Sequence, residues 1–427
     1  MPSLILLLTA FAYAILLSDK VTVSPVASSA DVPTSLSSVS DISEPGNYCS
    51  AETHKKIFYP KTRACTEARV PCPDPENIEG IAVRYCSCKT TIWETPNTTN
   101  CTHKWVSELE SAIEKGDPAE QISKKMASDL EYTLSRQLYG GDITKSLQLS
   151  DDLLDLARSQ FDAVEDEYDR EARATNFTES FGLYGNYLLS QQALEVREEL
   201  TPSLCEDYAA VLTSSLKQSV LSLGNYILIP EKKLQYDNWA MKIDILQWKD
   251  TSRKYSPDDQ LKLLTGNSTT STPSRAPTVQ FSGFSKSPII ELPPLIILNN
   301  TASSTNESSA PSSAVFHLGS QPDTASSYTP LRLSYLVFAN LGQLIYEDDV
   351  TVVNSHIACV YVGDGTKSID LLDDQPATLT FFHLKKDLEH PSCVSVDFDT
   401  RMLSNETCRL ISTSWRMTEC ACTHLGR

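Results

Sequence analysis

Hydrophobic residues recur at helical spacing through the middle third of the chain. Trp105, Leu109 and Ile113 lie four residues apart, and the same spacing returns after the break at Gly116-Asp117-Pro118. Asp142 can cap the next helix. Later apolar positions share one helical face in three segments: Ile122, Met126 and Leu130, then Leu153, Leu156 and Phe161, then Leu204, Tyr208, Val211, Leu216 and Leu223. The pattern predicts a helical bundle over residues 103–264.

Beyond Thr265 the pattern changes to short β-branched or aromatic runs separated by Gly, Pro, Asn and Asp. The runs are TVQFSGF, AVFHLG, LRLSYLVFANLGQLIY, VTVVNSHIACVYV and ATLTFFHL. Such runs predict a β-sandwich over residues 265–427. A Ser/Thr/Pro-rich insertion between Asn299 and Pro330 is expected to be a long loop.

Residues 47–102 have a third sequence pattern, with closely spaced cysteines, frequent prolines and short apolar runs. A segment this short does not rely on its core alone, so we expect a small module stapled by disulfides. The predicted fold class is therefore α+β and multidomain: a disulfide-rich module, an α-helical bundle, and a β-sandwich.

The first residues predict export. An apolar run from Leu4 to Leu17 contains a small-x-small site at Ala12-Tyr13-Ala14, as in a secretory signal peptide over residues 1–18. A buried terminal helix is the alternative, but Ser- and Pro-rich sequence follows at once. Residues 19–46 are predicted to be a flexible or glycosylated linker.

Cysteine content and sequons agree with export. Of the 12 cysteines, six lie between Cys49 and Cys101 and four between Cys393 and Cys422, a distribution that suits an oxidising compartment. Candidate N-glycosylation sites occur at Asn97, Asn100, Asn176, Asn267, Asn299, Asn306 and Asn405. The later apolar stretch PIIELPPLIIL is shorter than the roughly 20 residues of a membrane helix and is broken by Glu291 and two prolines.

Composition narrows the class of function. The 427 residues are 41% hydrophobic, which suits a folded protein with sizeable cores. The net charge is −19 and no block of Lys or Arg occurs, so nucleic acid is not an expected partner.

Enzyme signatures are mostly missing. The chain has no Gly-x-Ser-x-Gly elbow, zinc-helix, dinucleotide-glycine or calcium-loop pattern. Gly363 to Ser368 resembles the end of a phosphate loop, but its spacing is wrong and predicts a turn between strands. The adjacent carboxylates Asp151-Asp152 and Asp373-Asp374 do not face each other on a helix or strand, so solvated charges are expected.

The Cys-x-Cys pairs Cys86/Cys88 and Cys420/Cys422 have two interpretations. They could bind zinc together with His103 or His424, but disulfides are the better interpretation in an oxidising compartment. We expect no metal and no cofactor.

One stretch keeps the pattern of a reactive site: His424-Leu425-Gly426. Cleavage by an N-to-O acyl shift needs a hydroxyl or thiol nucleophile and a base beside a strained peptide bond. His424 could act as the base, but Gly426 occupies the nucleophile position and has no side chain. We therefore predict a vestigial cleavage site, with no catalytic residue.

These C-terminal residues resemble the GPCR proteolysis site, the last part of the GAIN domain of adhesion G-protein-coupled receptors, and latrophilins above all. The resemblance rests on Cys408-Arg-Leu-Ile followed by Cys420-Ala-Cys422-Thr-His424-Leu425. Upstream, VFANLGQLIY, VVNSHIA and LTFFHL are similar to successive strands of that domain, and TPSLCEDYAAVL is similar to its helical half.

The N-terminal module is similar to the hormone-receptor motif module that precedes the GAIN domain in latrophilins. The matching positions are Pro60-x-Thr62, Pro71-Cys72-Pro73, Gly80-x-Ala82, Cys86, Trp93 and Asn100-Cys101-Thr102. Both likenesses together cover most of residues 47–425, with the proteolysis-site motif at 393–427.

The resemblance implies disulfide pairs. These are Cys393 with Cys420, Cys408 with Cys422, Cys49 with Cys86, and Cys72 with Cys101. Cys65 and Cys88 are then left over as a candidate third pair in the module, although six cysteines alone allow 15 pairings. Cys205 and Cys359 have no assigned partner.

The sequence departs from the family in four ways. Ser395-Val396-Asp397-Phe398 stands where Phe-Trp follows the first proteolysis-site cysteine. The segment from Cys393 to Cys408 is short and lacks the second Trp, Gly426 replaces the cleaving Thr or Ser, and the sequence given stops at Arg427. The family's agonist strand and seven membrane helices would follow that point.

The expected function is the extracellular region of a latrophilin-like receptor in adhesion and signalling, on the outer side of the plasma membrane. Its partners would be an unidentified extracellular protein or peptide ligand and, where the chain continues, the seven-helix domain. The alternatives are a secreted decoy that binds without signalling, a passive spacer, and an autoproteolytic receptor if Thr or Ser in truth follows Leu425.

Overall fold

The computed structural model describes residues 47–249, 278–299, 313–317 and 328–425, apart from 198, 201, 294, 346–351, 364, 366–368, 372–374, 387–389 and 398–401. The predicted signal peptide and linker lie outside these residues, as do Asp373 and Asp374. Residues from Gly46 onward form one compact unit.

The N-terminal module consists of short antiparallel strand pairs. Its strands are β1 (Tyr48–Cys49), β2 (Glu52–His54), β3 (Ile57–Tyr59), β4 (Thr62–Arg63), β5 (Thr66–Pro71), β6 (Ile78–Glu79), β7 (Ile81–Cys86) and β8 (Thr102–His103). β1 pairs with β4, β2 with β3, β5 with β7, and β6 with β8. The small core includes Tyr59 and Trp93, and Tyr139 enters it from the helical region.

Helices follow the module at once. They are α1 (Lys104–Lys115), α2 (Ala119–Leu134), α3 (Gly140–Asp162), α4 (Glu167–Leu188), α5 (Gln191–Arg197) and α6 (Pro202–Tyr226). α1 ends at Gly116, whose φ of 71° lies in the left-handed region that favours glycine. Asp142 caps α3 from inside its first turn, where the side chain accepts the N–H of Tyr139 at 3.0 Å.

Strands and one short helix complete the chain. They are β9 (Glu231–Gln235), β10 (Trp239–Lys249), β11 (Thr278–Val279), β12 (Ile289–Glu291), β13 (Leu295–Asn299), β14 (Ser313–His317), β15 (Tyr328–Phe338), α7 (Gly342–Ile345), β16 (Ile357–Val362), β17 (Ile369–Asp370), β18 (Ala377–Phe382), β19 (Ser395–Asp397), β20 (Met402–Ser404), β21 (Cys408–Thr413), β22 (Met417–Cys422) and β23 (His424–Leu425).

These strands form two facing sheets, of four and five strands, and a third sheet of four strands. The first sheet has the order β16-β15-β10-β9, the second β11-β12-β18-β22-β21, and the third β14-β13-β17-β23. β19 and β20 pair separately. Leu333 and Val360 of the first sheet share a core with Ile290 and Leu379 of the second, so these two sheets form a sandwich.

Strand β10 of the first sheet contributes side chains to cores on both faces of the sheet. Trp239, Met241 and Ile243 belong to the core of the helices, whereas Ala240 between them belongs to the core of the sandwich. Successive side chains of a strand point to opposite faces, so β10 serves both cores. The α+β fold class expected from the sequence is confirmed.

The change from helix to strand comes earlier than the predicted boundary at residue 264. The last helix of the bundle, α6, ends at Tyr226, and β9 and β10 already belong to the first sheet. The predicted long loop between Asn299 and Pro330 also contains β14, which pairs with β13. In the described part of the chain, no helix is both long and apolar enough to cross a membrane.

Candidate functional site around the last strand

His424 and Leu425 form the last described strand, β23. It pairs antiparallel with β17, with Asp370 opposite His424 and Ile369 opposite Leu425. β23 lies at the end of its sheet order, and Leu425 packs against the core of the sandwich. His424 and Leu425 are therefore built into the sheet, while Gly426 lies outside the described residues.

Thr423 connects β22 to β23 and is held by hydrogen bonds on two sides. Its N–H donates to the carbonyl oxygen of Thr407 at 2.9 Å, and its own carbonyl accepts the N–H of Leu371 at 2.8 Å. The backbone that enters the motif is thus fixed by two separate segments of the chain.

Two disulfides brace the same place. Cys393 bonds to Cys420 and Cys408 bonds to Cys422. The Cys-x-Cys spacing on β22 explains the arrangement, because residues two apart on a strand face the same side, and both sulfurs enter the core of the sandwich. Cys408 and Cys422 are also direct partners in the β21–β22 ladder.

The segment between Cys393 and Cys408 contains a small strand pair, β19 with β20. The Ser395 hydroxyl donates to the Ser404 carbonyl at 3.2 Å, and the Thr407 hydroxyl donates to that of Ser395 at 3.0 Å. Hydroxyl contacts therefore occupy the region where the resemblance leads one to expect aromatic residues. Phe398 lies outside the described residues.

The module contains three disulfides: Cys49 with Cys86, Cys72 with Cys101, and Cys65 with Cys88. Cys359 is a free cysteine on β16, and the side chain of Cys205 lies outside the described residues. Within the described ranges, no cluster of three or more His, Cys, Asp or Glu side chains is arranged to hold a metal ion.

The candidate glycosylation sites differ in accessibility. Asn100, Asn176 and Asn405 are exposed, whereas Asn97 is half-buried and its side-chain oxygen accepts the N–H of Thr99 at 3.0 Å. Asn267, Asn306 and the side chain of Asn299 lie outside the described residues. Three of the seven sequons thus present an open asparagine in the structure.

A second polar site, missed by the sequence analysis, joins the module to the helices. The buried Glu199 forms an ion pair with Lys55 and accepts the Thr98 hydroxyl at 2.6 Å. The buried Asp142 lies 2.9 Å from the His103 ring nitrogen Nδ1 and accepts the His103 N–H at 2.7 Å. We name these two contact sets the module junction. Asp142 was noticed only as a cap, and no sequence pattern distinguishes Glu199 from an exposed acid.

Comparison with known proteins fits this architecture. Residues 265–427 match the family model described as GPS: GAIN subdomain B. The chain is 22% identical over 409 residues to adhesion G protein-coupled receptor L1 of Bos taurus, with 89% of this chain and 25% of that protein covered. The human protein of the same name is 22% identical over 414 residues, with the same shares covered.

The chain resembles the extracellular region of an adhesion G-protein-coupled receptor. The resemblance inferred from the cysteine and His-Leu motifs is thus confirmed. The chain spans about a quarter of the length of the curated relatives that it matches. The full extracellular region of zebrafish Gpr126/Adgrg6 is a similar solved structure, at 14% identity and a TM-score of 0.38, with 89% of this chain and 43% of that chain covered.

Proposed function

We propose that this chain is the extracellular region of a latrophilin-like adhesion receptor and works at the cell surface in adhesion and signalling. Within it, residues 47–102 are a hormone-receptor motif module and residues 103–427 a GAIN domain. The observation that carries the proposal is the pairing of β23 with β17 inside a region that matches GAIN subdomain B.

The proposed mechanism is mechanical. A segment that continues from Leu425 would be held as a strand next to β17, and this short ladder is an edge contact that force or a ligand can open. The strand before it is covalently fixed by Cys408 and Cys422, so the frame stays closed while the held segment leaves. Where present, that segment would be a tethered agonist for the seven-helix domain.

The module supplies the proposed contact with a ligand. The buried Glu199 and Asp142 fix it to the helices, so a pull on the module is transmitted to the sandwich through the shared core at β10. The ligand class is an extracellular protein or peptide. The chain acts as a receptor part and not as an enzyme.

Localisation tests the function. An antibody raised against the folded module should stain intact, unpermeabilised cells of the source organism. Staining that requires permeabilisation and stays inside the cell would contradict a cell-surface role.

Autoproteolysis is proposed to be absent because Gly426 offers no hydroxyl for the acyl shift. The secreted chain, carrying a C-terminal tag, should run as one band on a denaturing gel. Gly426→Thr supplies a hydroxyl, and Gly426→Val has the shape of threonine without the hydroxyl. Cleavage of the Thr variant alone would show that the other groups needed for the acyl shift are intact. Cleavage of the unaltered chain after Leu425 would refute the proposal.

A further inference from the structure

The connection between α3 and α4 presents an unusually open tyrosine. Tyr168 is the second residue of α4 and is 75% exposed. The side chains on both sides of it, Glu165, Asp166, Glu167 and Asp169, are exposed too. A phenol hydroxyl therefore stands in solvent with carboxylates at the three preceding positions and the following one.

Each of the other exposed tyrosines whose side chains the structure describes has a cation over its ring. Lys61 lies over the ring of Tyr48, with its Nζ 4.8 Å from the centroid, and the Arg136 guanidinium lies 4.3 Å from the centroid of Tyr132. The base nearest in sequence to Tyr168 is Arg170, which is turned to the Val164 carbonyl, with Nε at 3.0 Å. Tyr168 thus combines high exposure with an unbroken acidic flank.

We propose that Tyr168 is a site of tyrosine O-sulfation, modified in the secretory pathway by a sulfotransferase that uses a phosphosulfate donor. The inference rests on the secretory route that the proposed function requires. It adds a modification that this function does not itself imply.

The reaction balances with the donor as the only co-reactant. The phenol oxygen of Tyr168 attacks the sulfur of the sulfuryl group and forms the new S–O bond. The bond between sulfur and the donor's phosphate oxygen breaks, the phosphate leaves with the electron pair, and the phenolic proton passes to a base of the enzyme. An enzyme that binds so anionic a donor has a cationic cleft, which attracts an acceptor flanked by carboxylates.

The local fold leaves this segment reachable and tolerates the product. Residues 163–166 lie between the two helices, and the Asp166 side chain caps α4 by accepting the Asp169 N–H at 2.8 Å. A sulfate ester at the second position of α4 places its negative charge at the positive end of the helix dipole. The modified surface would present sulfate and carboxylate oxygens, which favour a partner with Arg side chains.

A labelling experiment tests the inference without depending on cell biology. The purified full chain is incubated with a Golgi tyrosine sulfotransferase and radiolabelled phosphoadenylyl sulfate, then digested with trypsin. The peptide from Ser159 to Arg170 contains Tyr168 as its sole tyrosine, so its label assigns the site. Tyr168→Phe should remove this label, whereas Tyr132→Phe, also a change at an exposed tyrosine, should keep it.

The flanking carboxylates provide the electrostatic test. Glu167→Gln combined with Asp169→Asn should lower the initial labelling rate by on the order of tenfold, because steering by the acidic flank is lost. An unlabelled wild-type peptide, or a label that survives Tyr168→Phe, would overturn the inference.

Secretion from cultured animal cells separates this inference from the proposed function. The secreted chain should carry a phosphatase-resistant sulfate on the same peptide. A secreted chain without sulfate on Tyr168 overturns the sulfation inference and leaves the proposed function standing. A chain that never enters the secretory pathway contradicts the proposed function. In that case the reaction with the purified enzyme still decides whether Tyr168 is an acceptor.

Discussion

Glu199 forms an ion pair with Lys55 across the junction between the disulfide-rich module and the helices. The Glu199 side chain is 3% exposed and also accepts the hydroxyl of Thr98. The Tyr139 hydroxyl donates to the Lys55 carbonyl at 3.1 Å, so Lys55 is held at both its side chain and its backbone. A buried carboxylate with these partners fixes the module in one position.

Glu199→Ala should lower the free energy of unfolding by about 3 kcal/mol, because it leaves the Lys55 ammonium and the Thr98 hydroxyl without their acceptor. Urea unfolding followed by circular dichroism measures the change. The control Asp155→Ala breaks an exposed pair with Arg158 and should cost less than about 1 kcal/mol. Equal losses in the two variants would show that Glu199 has no special role.

Gly141→Ala should disrupt the same junction by overpacking. A Cβ at this position would lie 2.3 Å from the Cys101 carbonyl oxygen and 2.4 Å from the Thr102 hydroxyl. Cys101 cannot retreat easily because it is bonded to Cys72, so we expect a loss of about 2 kcal/mol or more in the same urea assay.

Gly224→Ala is the matched helical control for that change. Its added methyl would meet nothing closer than 3.8 Å, and alanine favours a helix by up to about 1 kcal/mol over glycine. The control should therefore be neutral or stabilising. If Gly141→Ala is as stable as Gly224→Ala, the backbone at the module junction can move to make room for a methyl group without a loss of stability.

The sequence predicted the helices well because their apolar faces repeat with helical spacing. Leu109 and Leu130, taken from that pattern, are both buried in the helical core. It failed at β10, whose side chains enter the helical core at Met241 and the sandwich core at Ala240. A strand covered on both faces has no simple alternation of apolar and polar residues, so periodicity alone did not identify it.

The last strand could be located from the cysteine and His-Leu motif, since that signal is local. The module junction could not be located, because Thr98 and Glu199 are 101 positions apart and neither residue type is unusual for the surface. Such a contact depends on how α4 and α5 return the chain to the module, since Glu199 follows α5 directly. Local propensity does not contain that information.

Removing the Cys408–Cys422 disulfide should loosen the last strand. The double variant Cys408→Ala, Cys422→Ala opens a loop with a sequence separation of 14, for which the loss is about 3 kcal/mol. We expect faster amide hydrogen exchange at residues 423–425, measured by mass spectrometry, because the change removes the covalent bond at Cys422, directly before Thr423 and the short ladder of β23 with β17. The control variant Cys65→Ala, Cys88→Ala should leave the exchange at residues 423–425 unchanged. Faster exchange there in both double variants would indicate global destabilisation and contradict a local role for the Cys408–Cys422 disulfide.

Stability should fall in mild acid partly through His54. Burial, and secondly the positive charge of Arg84, lower the pKa of His54 below its ordinary value of 6.5. The unfolded chain therefore binds this proton more readily than the folded one. The stabilising contribution is present above about pH 6.5 and is lost as the pH falls from there to the folded-state pKa.

His54→Asn should accordingly show a smaller drop in melting temperature between about pH 7.5 and about pH 5.5 than the unaltered chain. The matched control is His390→Asn, at an exposed position whose φ of 56° asparagine tolerates. Identical drops in the unaltered chain and the His54 variant would contradict the role assigned to His54.

Cys359 should resist alkylation while the protein is folded. Burial raises the pKa of its thiol to about 11, against an ordinary value of 9.0, and the residue packs against the helical core from β16. The difference of two units makes the reactive thiolate about a hundredfold rarer than in the unfolded chain at the same pH. Peptide mapping after iodoacetamide treatment at about pH 8 should find that Cys359, which is half-buried by accessible surface, is modified much more slowly without urea than with it. Equal modification with and without urea would show that β16 leaves the helical core open, and Cys359→Ala identifies the peptide whose label is lost.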